Sequence, residues 1–324
     1  MKILVPCSYY VFGWNRGGIF SVANHFKRIF GEECDLIKFG SLEKENTVNE
    51  LPYSSVSDFS SYDCTFLPDV RGFSGLKEAL DLSKFPRPII ARVDDYGDTD
   101  FKNLKQWSKD IDVFWCFKNK MYEYVKENTD KKVVISGLPY LPVASSSHTE
   151  EKTIFSVCRL DPIKRIETLI DVSSRVKGKI ILWLYTMDFL RNYSKTIESL
   201  MKEQSSIEYV VSDSPFEEKN IFEALSRANS YYSATTWGSG TGVEYVALEA
   251  INNLCVPVIR SNMRSDYVRE KYRGFFWEYH DELIKAIERS FLDRDMLYYN
   301  LLMLRENYSH FRNMFLEIVS DWHH

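Results

Sequence analysis

No stretch of the 324-residue chain approaches the roughly 18 consecutive apolar residues needed to span a bilayer, so membrane insertion is not expected. A charged leader ahead of a long apolar run is also missing. The chain begins MKILVPCSYY, a short strand pattern, and the expectation is a cytoplasmic protein. The six cysteines, Cys7, Cys34, Cys64, Cys116, Cys158 and Cys255, include no CxxC pair and stand singly, most of them inside apolar strand-like runs. They read as buried reduced thiols, and no metal site is expected. Positive charge is not in excess either: 41 Lys and Arg against 46 Asp and Glu leave a formal net charge of -5. The molecule as a whole does not attract polyanions, and a nucleic-acid partner would need a local basic face. Repeats of solenoid length and low-complexity tracts are absent. So are GxGxxG and the Walker GK[ST], which disfavours nicotinamide dinucleotide and P-loop chemistry, and no cofactor is expected.

What the chain does have is an ordinary globular balance, with 44% hydrophobic and 27% charged residues, and more length than one core usually uses. Two domains are therefore expected. Short apolar runs alternate with longer segments of helical period, the pattern of parallel βαβ construction. In the first half the strands are KILVPC, CDLIKF, CTFLP, PIIARV, VFWCF and KVVIS, with helices such as SVANHFKRIF and NKMYEYVKEN between them. Pro139, Pro142 and the small polar run VASSSHTEEK then interrupt the pattern and mark a linker. A second series follows with TIFSVCRL, IETLIDVSSRV, KIILWLY, TIESLMKEQ, IEYVV, SYYSAT and VPVIR. The expected architecture is α/β, with two doubly wound Rossmann-like domains spanning 1–144 and 145–324 and a cleft between their strand ends. The amphipathic tail MLYYNLLMLRENYSHFRNMFLEIVSDW forms a last helix that returns toward the first domain.

Ligands of such domains bind where strands end and helices begin, and three segments stand there. Gly17 and Gly18 occupy the first strand-to-helix loop, where a glycine pair serves either anion binding by backbone N–H groups or turn geometry alone. In CRLDPIKRIETLI, Arg159 and Lys164 flank a proline turn directly after a strand. Two cations converging there suit a diphosphate clamp, and two solvated loop charges would look the same. The third segment, WGSGTGVEYVALEAINNLCVPVIR, places Glu244 and Glu249 five apart, too far round a helix to make one paired-carboxylate face. Glu249 lies amid apolar residues and needs a partner, which a ribose diol or a buried salt bridge would supply.

Together these segments resemble the retaining nucleotide-sugar glycosyltransferases of the two-Rossmann GT-B type. The resemblance covers nearly the whole chain and implies a nucleoside-diphosphate sugar as donor, a uridine-linked one in this reading. It implies that Arg159 and Lys164 hold the diphosphate, Glu249 the ribose, and Gly17, Gly18 and Gly242 the donor more loosely. Where that family has its first glutamate, eight residues before Glu249, this chain has Thr241. The spacing Glu-Tyr-x-x-Leu-Glu is instead similar to that of phage DNA α-glucosyltransferases, which glucosylate hydroxymethylcytosine. That likeness implies Asp94, after the fourth strand, and Glu244 as the catalytic carboxylates, unless Asp94 belongs to a solvated acidic loop. It also implies duplex DNA with modified bases as acceptor; positive charge for that contact stands in RSNMRSDYVREKYR, with Arg260, Arg264 and Arg269, where a solvated helix face would look the same, and no obligate protein partner is expected. A glycosyltransferase of surface polysaccharide or glycolipid synthesis, or a degenerate sugar-nucleotide-binding protein, would share the same donor motif.

Overall fold

Thirteen short strands among the described residues form two all-parallel sheets in a computed structural model. The structure describes residues 1–7, 18–38, 50–52, 59–68, 82–93, 104–143 except 106, 151–186, 190–235 except 215 and 217, 245–261 and 266–324. The first sheet contains β1 (Ile3–Cys7), β2 (Cys34–Lys38), β3 (Glu50–Pro52), β4 (Cys64–Leu67), β5 (Ile89–Arg92), β6 (Val113–Cys116) and β7 (Lys132–Ile135). The second contains β8 (Thr153–Arg159), β9 (Lys179–Tyr185), β10 (Ile207–Ser212), β11 (Ser230–Ser233), β12 (Val256–Arg260) and β13 (Phe275–Trp277). Their orders are β3-β2-β1-β4-β5-β6-β7 and β10-β9-β8-β11-β12-β13. In each the first strand lies inside, its second neighbour follows outward on one side and its fourth on the other, the doubly wound arrangement. Residues of β4, β5, β6 and β11 are buried at every position, which is why these strands are mostly apolar or aromatic and do not alternate with exposed polar residues.

The helices between them are α1 (Gly18–Phe30), α2 (Asn119–Asn128), α3 (Ile166–Val172), α4 (Arg191–Lys202), α5 (Glu218–Leu225), α6 (Tyr245–Asn252), α7 (Asp266–Lys271), α8 (His280–Ser290) and α9 (Asp295–His323). Gly31, in the left-handed region at φ 57°, follows the last residue of α1 and turns the chain toward β2. Two strands were not anticipated from the sequence. β3 and β13 are three-residue edge strands, too short to show a period, and β3 carries Pro52, which an edge position tolerates. PIIARV is consequently the fifth strand along the chain, not the fourth. The linker VASSSHTEEK lies for the most part outside the described residues.

The chain divides into two compact units, one built on the described residues of 1–141 with Arg305–His324, the other on those of 142–238 and 243–304. In the first, Phe26 of α1 is stacked on Phe66 at 4.0 Å and meets Phe311 and Phe315 of α9 edge-on at 6.0 and 5.0 Å. Trp115 lies 4.9 Å from Phe311, and its indole N–H donates to Ser136 Oγ. Aromatic pairs at these separations contribute beyond their buried area. His25 is buried against Tyr140, and burial together with the Arg28 charge pulls its pKa down to about 3, so the ring is neutral. In the second unit, Asn300 of α9 is fully buried and grips the backbone of Arg273, accepting from its N–H and donating to its carbonyl.

Candidate functional site

The second sheet reverses its order between β8 and β11, and crevices at the carboxyl ends of strands at such a point are where open α/β sheets bind ligands. β8 ends there with Arg159, and the next turn is built around Asp161. The Asp161 carboxylate accepts from the backbone N–H of Ile163 at 3.1 Å, capping a 3₁₀ turn over Pro162–Lys164 whose first residue, a proline, needs no acceptor. The same carboxylate accepts from Nε and Nη2 of Arg159. One acid thus shapes the loop and orients its first cation. Arg165 then adopts the left-handed conformation at φ 50°, and its carbonyl accepts from the buried Tyr232 hydroxyl, releasing the chain into α3. Behind the loop, Tyr193 of α4 donates to Glu167 of α3 at 2.7 Å. Burial raises the pKa of both phenols, so each remains a protonated donor.

Lys164 ends the same turn, and its ammonium donates to Thr235 Oγ1 at 3.1 Å. Thr235 lies just beyond β11, the strand on the other side of the reversal. Arg159, Lys164 and Thr235 are therefore gathered at one place. Arg260 ends β12, the next strand, with its guanidinium 5.8 Å from the Trp277 ring. Such an edge concentrates positive charge in a half-buried setting, the arrangement that suits a phosphate or diphosphate.

Glu249 stands on α6, which packs against β11 and β12 and buries seven of its eight residues. The residue is only 4% exposed, and its main-chain carbonyl accepts from both the backbone and the side-chain amide of Asn253. A charge at this depth is costly unless it is held, so the side chain is not a surface ornament of the helix. Gly18 is the first residue of α1, after β1, the strand at which the first sheet reverses. Gly17, Asp94, Gly242, Glu244 and Arg264 lie outside the described residues; Val93, just ahead of Asp94, is buried.

The described residues of the basic segment differ in exposure. Arg260 is half-buried, Tyr267, Val268 and Tyr272 are buried, and Arg269, Glu270 and Lys271 are exposed on α7. Arg273 lies over the Tyr299 ring at 4.1 Å. Cys34, Cys64, Cys116 and Cys255 are buried and free, and burial raises each thiol, Cys116 and Cys255 to about 12, so none is poised as a nucleophile. Among the described residues no group of three or more His, Cys, Asp or Glu could hold a metal ion, and no helix is long and apolar enough to cross a membrane. Sequence reasoning passed over two residues of the site. Asp161 carried a signal, an Asp directly before Pro at a helical start, whereas Thr235 carried none.

No protein-family model matches the chain, and no curated protein matches it in sequence. Solved structures do. HepE of Anabaena, in complex with UDP, superposes with a TM-score of 0.74 at 12% identity, over 99% of this chain and 100% of that one. An α-glucosyltransferase in complex with UDP-glucose and DNA containing an abasic site gives 0.64 at 13% identity, over 98% and 99%. A UDP-forming α,α-trehalose-phosphate synthase from Burkholderia vietnamiensis gives 0.64 at 12%, over 99% and 100%. The chain has the GT-B fold. In a GT-B fold each unit is a doubly wound parallel sheet, and the two strand orders found here, reversing at β1/β4 and at β8/β11, have that form.

Proposed function

We propose that the chain is a retaining glycosyltransferase that moves a sugar from a UDP-sugar to a hydroxymethylated pyrimidine in duplex DNA. The observation that carries the donor half is the gathering of Arg159, Lys164 and Thr235 where the second sheet reverses, with the buried Glu249 on the adjoining helix. Two cations at that point neutralise a diphosphate, and the leaving diphosphate gains charge as the glycosidic bond breaks. Glu249 accepts from the ribose hydroxyls, Gly17, Gly18 and Gly242 let the backbone approach the donor, and Glu244 and Asp94 supply the carboxylates beside the reacting carbon. No metal is assigned a role. UDP and UDP-glucose in the matched GT-B structures support the donor class, and the DNA bound to the α-glucosyltransferase supports the acceptor.

On the acceptor side, Arg260, Arg264 and Arg269 meet DNA phosphates. The net charge of -5 makes this contact local, and binding should weaken steeply with added salt. The target base leaves the stack to reach the sugar. The test is mass spectrometry of nucleosides released from hydroxymethylated duplex after incubation with a panel of UDP-sugars. A mass gain on one modified nucleoside is expected. Transfer only to a glycan or lipid-linked acceptor would replace the DNA reading with one of surface polysaccharide synthesis. Tight UDP binding without transfer or donor hydrolysis would leave a degenerate binding protein.

Glu249→Gln should weaken UDP binding roughly tenfold or more, because a neutral amide oxygen is a poorer acceptor for ribose hydroxyls than a carboxylate. Titration calorimetry with UDP and with uracil lacking the ribose separates this from a general loss of fit. Unchanged UDP affinity in the folded variant would remove the ribose role.

A further inference from the structure

We propose that Thr235 is the positioning residue for Lys164, fixing where its ammonium stands when the diphosphate arrives; this deepens, and rests on, the donor-site reading above. A lysine carries its charge at the tip of a long flexible stem, and fixing that tip at the moment of binding costs conformational entropy. The hydrogen bond from Lys164 to Thr235, 3.1 Å long and 71 residues apart in sequence, fixes it in advance.

Thr235 suits that task for three reasons. It is 5% exposed and β-branched, so its hydroxyl is held stiffly. Its place is dictated by the sheet: Tyr231 pairs in register with Phe155, and Thr235 and Arg159 each lie four residues beyond that pair. Thr235 and Arg159 thus follow the same pair at equal count along two neighbouring strands, and Lys164, on the turn after Arg159, reaches across the reversal to meet the Thr235 hydroxyl. Finally, a hydroxyl accepts one ammonium proton without cancelling the charge. Arg159, by contrast, is held by the carboxylate of Asp161, which offsets part of its charge. Thr235 itself directs the cation without offsetting its charge.

The experiment is calorimetric titration of UDP into the wild type, Thr235→Val, Thr235→Ser, Lys164→Met and the Thr235→Val/Lys164→Met double variant, with Thr235→Ala beside them as a hydroxyl deletion that adds no methyl group. Thr235→Val and Thr235→Ala should weaken UDP binding about tenfold. Thr235→Ser, which keeps the hydroxyl, should bind close to wild type. In the double variant the threonine change should cost nothing beyond Lys164→Met, since it acts through that lysine. Equal or tighter UDP binding without the hydroxyl, or a loss that adds in full to that of Lys164→Met, overturns the proposal while leaving the donor reading in place. A wild type that does not bind UDP overturns the donor reading and this proposal with it.

Discussion

Arg159→Ala and Lys164→Ala should each slow sugar transfer by a few hundredfold, about 3 kcal/mol of transition-state stabilisation. In the proposed reaction charge develops on the diphosphate as the bond to the sugar breaks, and each variant removes a cation assigned to the place where that charge appears. The fold should survive both changes. Lys164 ends a turn whose backbone is capped by Asp161, and Arg159 is partly exposed at a strand end, so neither side chain supports the core. Both variants should also bind UDP more weakly, but kcat should fall with kcat/KM, because the interaction strengthens in the transition state. Steady-state kinetics on folded protein provide the check. Near-normal kcat in both variants would place the diphosphate elsewhere.

Phe315→Ala should destabilise the first unit by roughly 3–5 kcal/mol, the usual cost of deleting a buried phenyl group. Phe315 is 1% exposed and its ring lies 5.0 Å from both Phe26 and Phe30 and 6.0 Å from Phe66. The segment from Arg305 onward is thus part of the core of the first unit, although the same helix begins in the second, where Met296 and Leu297 pack with Val256. A scanning-calorimetry transition lowered by on the order of 10 °C is expected for a unit of this size, with UDP affinity below that transition unchanged. A shift of only a degree or two would mean that the phenyl ring is not holding the unit together.

Legibility differed by element. β4, β5, β6 and β11 were readable because strands buried on both faces are rich in apolar and aromatic residues, and the linking helices because their apolar residues recur on one side. β3 and β13 were not, since three residues show no period and their pairing is decided by the neighbouring strand. In the candidate site, Arg159 and Lys164 stood out as two cations around a proline turn after a strand, a pattern that two solvated loop charges share. The burial of Glu249 was anticipated by its apolar neighbours. Thr235 was invisible because a threonine after a strand is ordinary, and its meaning comes from a contact with Lys164 that only the order β8-β11 creates. For the basic segment, composition counts charges without saying how each is held: packing lays Arg260 beside Trp277 and Arg273 over Tyr299.

The measurement that bears most directly on the account is proton NMR of the reaction, following the anomeric signal of the UDP-sugar and that of the product on hydroxymethylated DNA. The account predicts that the donor signal decays, free UDP appears, and the product carries the same anomeric configuration as the donor. An inverted product, or a UDP-sugar panel left intact in the presence of every acceptor, would contradict it.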